Sequence, residues 1–155
     1  MVTSFIGDYV CRVDDKGRML FPSAFRKQSK SASPDRYVLK KDIFENCLVI
    51  YTIEEWNRQN ELIRRNTNPY NREHNQFLRE FYRGTVELLL DANGRLLFPK
   101  RMLEMIGAIR DLVLTGQDSR IVIWAKERYD AHQFDEQQFA QLAEKILGSS
   151  PLSGE

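Results

Sequence analysis

Apolar residues recur at every second position in two segments of this 155-residue chain, and each segment leads into the same short motif. The segments are FIGDYVCRVD (residues 5–14) and YRGTVELLLD (82–91). Alternation of this kind predicts strands with one buried face. The motifs that follow are DDKGRMLFP (14–22) and DANGRLLFP (91–99). The chain therefore contains an internal repeat, and its fold is expected to consist of two related halves.

The repeat extends beyond these motifs. Each Phe-Pro pair opens a short helical pattern, and two further strand-like segments follow: YVLKK (37–41) matches LVLTG (112–116), and CLVIYTIEEW (47–56) matches RIVIWAKERY (120–129). Each copy predicts strand, turn, strand, short helix, strand, loop, strand and helix. We expect an α+β protein with three sections: a first repeat with linking helices (4–81), a second repeat with a C-terminal helix (82–147), and a disordered tail (148–155).

Two helices are predicted between the copies. Thr52 and Glu55 form a capping box for a helix that runs to about Asn66, where the segment NTNPYN interrupts it. The second helix covers roughly residues 70–81, and its spacing brings three apolar side chains to one face: Phe77, Leu78 and Phe81.

The second half ends in the same way. Asp135 is expected to cap a helix over residues 136–147, and Gly148 marks its end. The apolar residues of this helix are Phe139, Leu142, Ile146 and Leu147.

The turn of each motif is best built as a three-residue loop. A two-residue turn would place Lys16 at positive φ in the first copy, which costs about 1 kcal/mol or more for such a residue. The two copies share only the glycine of this loop. We therefore expect Gly17 and Gly94 in the left-handed conformation at the third loop position.

This register assigns two faces to each hairpin. Asp14 lies opposite Arg18, and Asp91 lies opposite Arg95. The apolar face, expected in the core, carries Tyr9, Cys11, Val13, Met19 and Phe21, matched by Val86, Leu88, Leu90, Leu96 and Phe98. The other face carries Arg12, Asp14, Arg18 and Leu20, matched by Leu89, Asp91, Arg95 and Leu97. With Lys16 at its tip, the first hairpin has three cations.

Two compatible interpretations of the Asp–Arg pairs remain open. As cross-strand ion pairs worth roughly 0.2–1 kcal/mol, they would pin the turns. Alternatively, the aspartate orients the arginine and leaves its remaining donors for phosphate or guanine, because a planar guanidinium suits bidentate recognition.

Charge adds a hint about the partner. The net charge is +1, but residues 1–41 contain nine Lys or Arg against four Asp, so this part carries +5 and the remainder −4. Such asymmetry indicates an anionic partner on one side. No run of 18 apolar residues and no signal peptide is recognisable, and Cys11 and Cys47 show no metal or redox spacing. We therefore expect a reducing, cytosolic location.

An enzyme is the competing class, and little in the sequence supports it. His74 and His132 lie outside the repeated motifs without paired metal spacing, and no phosphate-binding glycine loop or nucleophile elbow is present. Trp56 and Trp124 are interpreted as packing anchors rather than base-stacking platforms. We expect no catalytic site, no metal and no cofactor.

The doubled motif resembles the MraZ family of bacterial transcriptional regulators. The likeness rests on D-x-x-G-R followed by an apolar run and Pro, on GTVELLLDANGRLLFP (84–99) and on VLTGQDSRIVIWAKERYD (113–130), and it covers about residues 4–147. It implies a pseudo-twofold β-barrel related to AbrB domains, closed by the two hairpin units, with peripheral helices. It also implies rings that bind short direct repeats upstream of the division and cell-wall gene cluster, including their own promoter. The family's D-x-x-x-R motif falls on Asp14/Arg18 and Asp91/Arg95.

We therefore predict a ring-forming, DNA-binding regulator that acts through Arg18, with Arg12, Lys16 and Arg95 as further contacts. Arg12 and Lys16 come from the face argument and not from the resemblance, and they make the first hairpin the expected stronger contact. The partners would be double-stranded DNA and further copies of the chain, without a membrane or a small-molecule substrate. The expected location is cytoplasmic and nucleoid-associated. The alternative is a ring-forming interaction or structural module without DNA readout, whose subunit contacts would use the aromatic residues of the linking helices: Trp56, Tyr70, Phe77, Phe81 and Tyr82.

Overall fold

The secondary structure follows the predicted order in both copies. The computed structural model describes residues 2–131 and 133–148. The first copy contains β1 (Asp8–Arg12), β2 (Arg18–Leu20), α1 (Ser23–Gln28), β3 (Arg36–Lys41), β4 (Leu48–Thr52) and α2 (Ile53–Asn66), and α3 (Arg72–Tyr82) links it to the second copy. The second copy contains β5 (Val86–Leu89), β6 (Arg95–Leu97), α4 (Lys100–Met105), β7 (Asp111–Gln117), β8 (Arg120–Ala125) and α5 (Lys126–Ala131), followed by α6 (Glu136–Leu147). His132 and residues 149–155 of the expected disordered tail lie outside the described residues.

The two copies exchange strands. β1 of the first copy pairs with β7 of the second, and β5 of the second pairs with β3 of the first. The equivalent strands β4 and β8 pair with each other at the centre of a six-stranded antiparallel sheet, in the order β1-β7-β8-β4-β3-β5. β2 and β6, which are also equivalent, form a separate antiparallel pair. Neither copy therefore builds its own sheet.

The three-residue turns form as predicted, but the strands that flank them separate at once. The N–H of Asp14 donates to the carbonyl of Arg18 at 2.9 Å, and Gly17 has a φ of +89°. Beyond the turn, Val13 and Met19 make one further pair. The longer β1–β2 hairpin expected from the sequence is absent, because β1 and β2 each pair with the other copy.

The predicted apolar faces meet in one core. Seven of their ten side chains are buried, and the remaining three, Tyr9, Val86 and Leu90, are partly buried against the same cluster. Leu39, Leu48, Ile50, Leu112, Leu114, Ile121 and Ile123 complete the sheet's contribution to this core. Removing these side chains from water is the main source of stability for the arrangement.

The other face of the sheet is covered by α2. The Trp56 ring stacks on Phe81 of α3 with centroids 6.3 Å apart, and it lies 6.0 Å from the ring of Tyr51 in β4. This packing agrees with the interpretation of Trp56 as an anchor. α3 begins at Arg72 rather than near residue 70, because the side chain of Asn71 accepts hydrogen bonds from two amides of the first turn and so fixes the start.

The capping box at α2 forms in one direction. Thr52 Oγ1 accepts a hydrogen bond from the N–H of Glu55 at 3.1 Å. The Glu55 carboxylate, however, accepts from Arg58 and from Gln59 at 2.7 Å, so its predicted bond to the cap residue is replaced by contacts within the helix.

α6 begins and ends where the sequence predicts. Asp135 accepts from the N–H of Gln138 at 2.7 Å, and Gly148 follows the last helical residue. None of the side chains of this helix is buried. Within the described part of the chain, no helix is long and apolar enough to cross a membrane.

The structure confirms an antiparallel α+β fold. The described strands divide between a six-stranded and a two-stranded sheet, so barrel closure stays a prediction at this point.

Candidate nucleic-acid interface

The pair β2–β6, termed here the arginine ribbon, brings the two repeated motifs together. Its register places Arg18 opposite Leu97 and Leu20 opposite Arg95. Because directly paired residues point to the same side of a sheet, these four side chains share one face. Met19 and Leu96 point to the other side and are buried. The sequence predicted the outward face of each motif, but not that both motifs contribute to one surface.

The two arginines are close neighbours on this ribbon. They occupy diagonal positions, which lie about 7–8 Å apart in an antiparallel pair. That separation is close to two base steps along a DNA strand, at about 3.4 Å each. A two-stranded ribbon also has the right width to enter the major groove. The arrangement therefore suits contact with nucleotides two steps apart on one strand.

Asp14 holds both the first turn and its arginine. One carboxylate oxygen accepts from the backbone N–H groups of Lys16 and Arg18, both at 2.9 Å. The other accepts from the Nε of Arg18 at 2.8 Å. The hydrogen bond from the Arg18 backbone is the largest cause that holds the pKa of Asp14 below its ordinary value.

The second turn repeats this geometry. Asp91 accepts from the backbone of Asn93 at 2.8 Å and of Arg95 at 2.9 Å, and from the Nε of Arg95 at 3.0 Å. Its pKa is lowered as well, again mainly by the Arg95 backbone N–H. The two motifs are thus equivalent in structure and not only in sequence.

Each arginine keeps its outer donors available. The aspartate occupies only Nε, and neither Nη1 nor Nη2 of Arg18 or Arg95 makes a hydrogen bond to the described part of the chain. The side chains are about one-third exposed, at 34% and 32%. A guanidinium oriented through Nε and open at both Nη groups can donate to a phosphate or to the acceptor edge of guanine.

Two exposed leucines lie between the arginines. Leu20 is 65% exposed and Leu97 is 56% exposed, although each belongs to a strand with a buried face. Exposed apolar groups beside arginines fit a surface that reads bases, because the thymine methyl group is an apolar feature of the major groove.

Of the two cations that the face argument adds on the first hairpin, Arg12 and Lys16, Arg12 is the more constrained. It pairs with Asp111 across β1–β7, and its Nε lies 3.8 Å from that carboxylate. At the equivalent place in the second copy, Leu89 pairs with Arg36 across β5–β3, and Arg36 binds Glu87 at 2.7 Å. The charge of Arg12, which distinguished the first hairpin in the sequence, is therefore matched locally by a carboxylate.

Lys16 is exposed at the tip of the first turn, as predicted. The adjacent Asp15 is also exposed, and the nearest atoms of its carboxylate and the Arg110 guanidinium are 3.9 Å apart. Residues 14–18 therefore contain two carboxylates and two cations, while residues 91–95 contain one of each. The two turns carry the same net charge.

Part of the positive charge of the N-terminal part is buried or paired with carboxylates. Lys40 is only 4% exposed, and its ammonium lies 4.1 Å from the centre of the Phe81 ring. Its burial lowers its pKa. Arg12 and Arg36 each lie beside a carboxylate, Asp111 and Glu87. Because of these ion pairs and the burial of Lys40, the +5 charge of residues 1–41 overstates the charge presented to a partner.

Basic residues of the opposite copy flank each turn, and sequence reasoning missed them. Arg26 of α1 lies beside the second turn: a Cβ at Gly94 would stand 3.0 Å from its Nη1. Lys100 of α4 lines a cavity of about 230 Å³ beside the first turn, together with Gly17 and Arg110. These neighbours follow from strand exchange, so no local signal in the sequence indicates them.

Of the residues considered for enzymatic chemistry, Cys11, Cys47 and His74 lie in the described part of the chain and His132 does not. Both cysteines are buried, and burial raises the pKa of Cys11 to about 11 and of Cys47 to about 12, so both are protonated thiols at neutral pH. His74 accepts a hydrogen bond from the backbone of Asn68 at 2.9 Å. Among the described residues, no group of three or more His, Cys, Asp or Glu is arranged to hold a metal.

Comparison with known proteins agrees with the repeated motif. The family model described as "MraZ protein, putative antitoxin-like" matches residues 4–79 and 81–149. The protein named transcriptional regulator MraZ from Christiangramia forsetii is 37% identical over 156 residues, covering 97% of each chain. Its namesake from Bacteroides fragilis is 36% identical over 143 residues, covering 92% of this chain and 90% of the relative. That from Acetivibrio thermocellus is 32% identical over 144 residues, covering 92% and 96%.

Proposed function

Because this chain belongs to the MraZ family of transcriptional regulators, which are not enzymes, we propose that it regulates transcription by binding promoter DNA through the arginine ribbon. This proposal rests on the diagonal pair Arg18 and Arg95. Each guanidinium is fixed through Nε by its aspartate and is open at both Nη groups. Leu20 and Leu97 would add apolar contacts to the bases. Lys16 and Arg12 would lie at the edge of the DNA-contacting surface.

The finer features of the function are carried over from the family resemblance. The DNA would be short direct repeats upstream of the division and cell-wall gene cluster, including the protein's own promoter. The protein would act in the cytoplasm, associated with the nucleoid. Several copies would form a ring that places one arginine ribbon per subunit on successive repeats, and linkage of the sites would raise the affinity through effective concentration. This multiplicity offsets the low net charge of +1.

Barrel closure is part of this proposal. The edge strands of the six-stranded sheet are β1 and β5, and each leads through a tight turn into the arginine ribbon. The ribbon is also tied to both turns: the N–H of Phe98 donates to Gly17 at 2.8 Å and the N–H of Phe21 to Gly94 at 3.0 Å. A ribbon that spans both edges would close the barrel and leave no strand edge open.

The two hairpins could bind DNA with equal or unequal strength. The prediction that the first hairpin binds more strongly rested on Arg12 and Lys16. The Nε of Arg12 lies 3.8 Å from Asp111, and Asp15 precedes Lys16 in the same turn, so the first turn carries no more net charge than the second. Arg18 and Arg95 are therefore tested as an equivalent pair.

The test is DNA binding by single variants of these arginines. Arg18→Ala and Arg95→Ala should each weaken binding to the protein's own upstream DNA, by about 1–3 kcal/mol per contacting subunit if a bidentate guanine contact is lost. If the lost contact is to phosphate, the slope of log affinity against log salt should fall by about one per contacting subunit. Arg18→Lys separates these cases, because lysine keeps the charge but not the planar fork.

Lys126→Ala is the matched control, since it removes one positive charge from α5, outside the ribbon. Circular dichroism and native mass confirm that each variant remains folded and assembled. Normal DNA binding by both arginine variants would refute the site. Unfolding of both would instead favour a purely structural role for the pairs.

The interaction-module alternative makes a different prediction for the unaltered protein. If assembly is the whole function, the wild-type protein should not retard its own upstream DNA even at low salt. Retardation that weakens steeply as salt rises would support the regulator.

A further inference from the structure

A cavity of about 490 Å³ lies on the face of the six-stranded sheet that is turned away from the core. Small-molecule sites in proteins have volumes of about 300–1,000 Å³, so the cavity has the size of such a site. Strands β3, β4 and β8 and the β3–β4 loop (residues 42–47) contribute to its walls, together with Gln59 of α2 and Phe81 of α3. No residue of the arginine ribbon lines it, so the DNA-binding proposal does not account for it.

Two cations reach this cavity from different strands. Lys40 pairs with Val49 across β3–β4, and Arg120 pairs with Tyr51 across β4–β8. Val49 and Tyr51 are two positions apart on β4, so they and their partners share one face of the sheet. Both cations line the cavity, and β4 lies between the strands that carry them. An anion bound above β4 would therefore have a positive group on either side.

Lys40 is a buried cation with spare hydrogen-bond donors. One N–H of its ammonium donates to the carbonyl of Lys41 at 3.0 Å, and Nζ lies 4.1 Å from the centre of the Phe81 ring. An ammonium has three N–H groups, and among the described residues this one has no second acceptor and no carboxylate in ion-pair contact. Burial lowers the pKa of Lys40, and the charge of Asp42 offsets only part of this effect. Because a buried charge without a counter-charge is unfavourable, a bound anion would stabilise this position.

Arg120 also lacks a carboxylate partner within the described part of the chain. Its side chain is half-buried beside Tyr51: burial raises the pKa of this tyrosine, and the Arg120 guanidinium opposes the rise. Nearby arginines are paired, since Arg36 binds Glu87 and Arg58 binds a second glutamate. A planar guanidinium binds a carboxylate or a phosphate through two parallel hydrogen bonds, so Arg120 is suited to the same anion as Lys40.

The β3–β4 loop is held in place around the cavity by its own polar groups. The Oδ2 of Asp42 accepts hydrogen bonds from the backbone N–H groups of Phe44 and Glu45 at 3.0 and 2.8 Å. The ammonium of Lys41 donates to the carbonyls of Asp42 and Glu45 at 3.1 and 2.6 Å. A loop that is already ordered reduces the entropic cost of binding. The cavity is lined by three cations and two carboxylates, which leaves an excess of one positive charge.

The remaining walls of the cavity are largely apolar. Cys47, Phe81 and Val122 line it and are buried, and the exposed Ile43 and Phe44 lie on the loop beside it. Ligand sites combine such apolar walls with a few polar groups that fix orientation. A bare inorganic anion would leave the apolar walls without contacts, so the occupant is expected to have an apolar body as well as a charge.

We propose that this cavity binds a small organic anion, whose carboxylate or phosphate group contacts Lys40 and Arg120 and whose apolar body lies against Val122. The anion is a ligand and not a substrate. The inference goes beyond the proposed function, because it concerns residues outside the arginine ribbon and a different class of partner. Its test contains no DNA, so failure of either proposal leaves the other standing.

Four probes separate the role of charge from that of apolar contact. Benzoate and phenyl phosphate carry both an anionic group and a ring, whereas inorganic phosphate carries only the charge and benzyl alcohol only the ring. Isothermal titration calorimetry of the full-length protein, in a buffer without phosphate or carboxylate, measures the affinity of each probe. Benzoate, phenyl phosphate or both should bind at least about tenfold more tightly than inorganic phosphate and benzyl alcohol. The tighter of the two identifies the preferred anionic group.

Two results with the unaltered protein would overturn the site. One is the absence of binding by both benzoate and phenyl phosphate at millimolar concentration. The other is binding of benzyl alcohol or of inorganic phosphate as tight as that of the best ring-bearing anion, because either charge or apolar contact would then be irrelevant.

Variants of the two cations place the bound probe in the cavity. Lys40→Met and Arg120→Gln should each reduce the affinity for the best probe by at least about tenfold, because each removes a charged hydrogen-bond donor. Arg79→Gln is the matched control: it removes an exposed positive charge from α3, does not line the cavity, and should bind as the unaltered protein does. Unchanged affinity in either cavity variant, or an equal loss in the control, contradicts the proposal.

The stability of Lys40→Met distinguishes a ligand site from a purely structural lysine. Methionine keeps an unbranched apolar side chain and removes a buried charge that has no carboxylate partner, so the urea midpoint without ligand should equal or exceed that of the unaltered protein. A lower midpoint together with unchanged probe affinity would show that Lys40 serves only to pack on Phe81. Arg120→Gln, at a half-buried position, provides the binding result independently of any folding defect at Lys40.

Discussion

The two turn glycines provide a matched pair whose replacement should have unequal consequences. Gly17 and Gly94 occupy equivalent positions and both have positive φ, +89° and +76°. Replacement by alanine therefore strains the backbone at both sites by about 1–2 kcal/mol, because a Cβ disfavours the left-handed region. What differs between the sites is the atom that the new methyl group would meet.

At Gly17, the Cβ would stand 2.6 Å from the backbone carbonyl oxygen of Phe98. That residue is tied to the same turn, since its N–H donates to the Gly17 carbonyl at 2.8 Å, so it cannot retreat without disturbing the arginine ribbon. At Gly94, the nearest atom is Nη1 of Arg26 at 3.0 Å, the end of a flexible side chain that can move. Overpacking against a fixed group adds about 1–3 kcal/mol, so Gly17→Ala should cost about 2–5 kcal/mol in total.

Urea denaturation of the two variants measures this difference. Both should unfold at lower urea with an unchanged slope m, and Gly17→Ala should be the less stable of the two by about 1–3 kcal/mol. The protein concentration must be identical in all experiments, because assembly raises apparent stability. Equal losses within about 0.5 kcal/mol, or a larger loss for Gly94→Ala, would show that the close approach of the Phe98 carbonyl does not constrain the turn.

Three further predictions concern the groups that hold the turns and the helices. Asp14→Asn keeps an oxygen for the two backbone amides but loses the charge facing Arg18, so it should lower thermal stability less than Asp14→Ala does; equal losses would contradict this. Because the pKa values of Asp14 and Asp91 are lowered in the fold, their contribution is complete above the ordinary aspartate pKa of about 3.9 and is lost only as pH falls through the lowered values. The amide resonances of Arg18 and Arg95 should therefore stay constant from about pH 7 to 5 and move below about pH 4; movement near pH 6 would refute the assignment. Thr52→Ala removes the bond to the Glu55 amide at 3.1 Å and should cost about 1 kcal/mol in a urea experiment, whereas Thr52→Ser should cost little.

Local chemistry explains which features the sequence predicts well. The three-residue turn follows from a shared glycine, and the opposition of Asp14 and Arg18 follows from the turn length. The ends of α2 and α6 follow from side chains within three residues of the cap. Each of these features depends on neighbours in the chain, so periodicity and capping preferences suffice to predict it.

Strand partners require information that periodicity does not contain. Alternation says which face of β1 is buried, but the face would be the same against β2 as against β7. The pairing of Tyr9 with Leu114 therefore had no signal in a single sequence. The same limit explains why Arg26 beside Gly94 was missed and why Arg12 was counted as an unmatched charge. Each of these depends on a contact between the two copies.

The arginine ribbon shows that the structural and the recognition interpretations of the Asp–Arg pair describe the same arrangement. One carboxylate binds two backbone amides and one guanidinium Nε, so a single group sets both the turn and the direction of the arginine. Loss of Asp14 would disturb the turn and misdirect Arg18 together, and weaker DNA binding would then have two explanations. Loss of the Arg18 guanidinium removes recognition while the two amide bonds to Asp14 remain. The arginine variants, and not the aspartate variants, therefore decide whether the ribbon reads DNA.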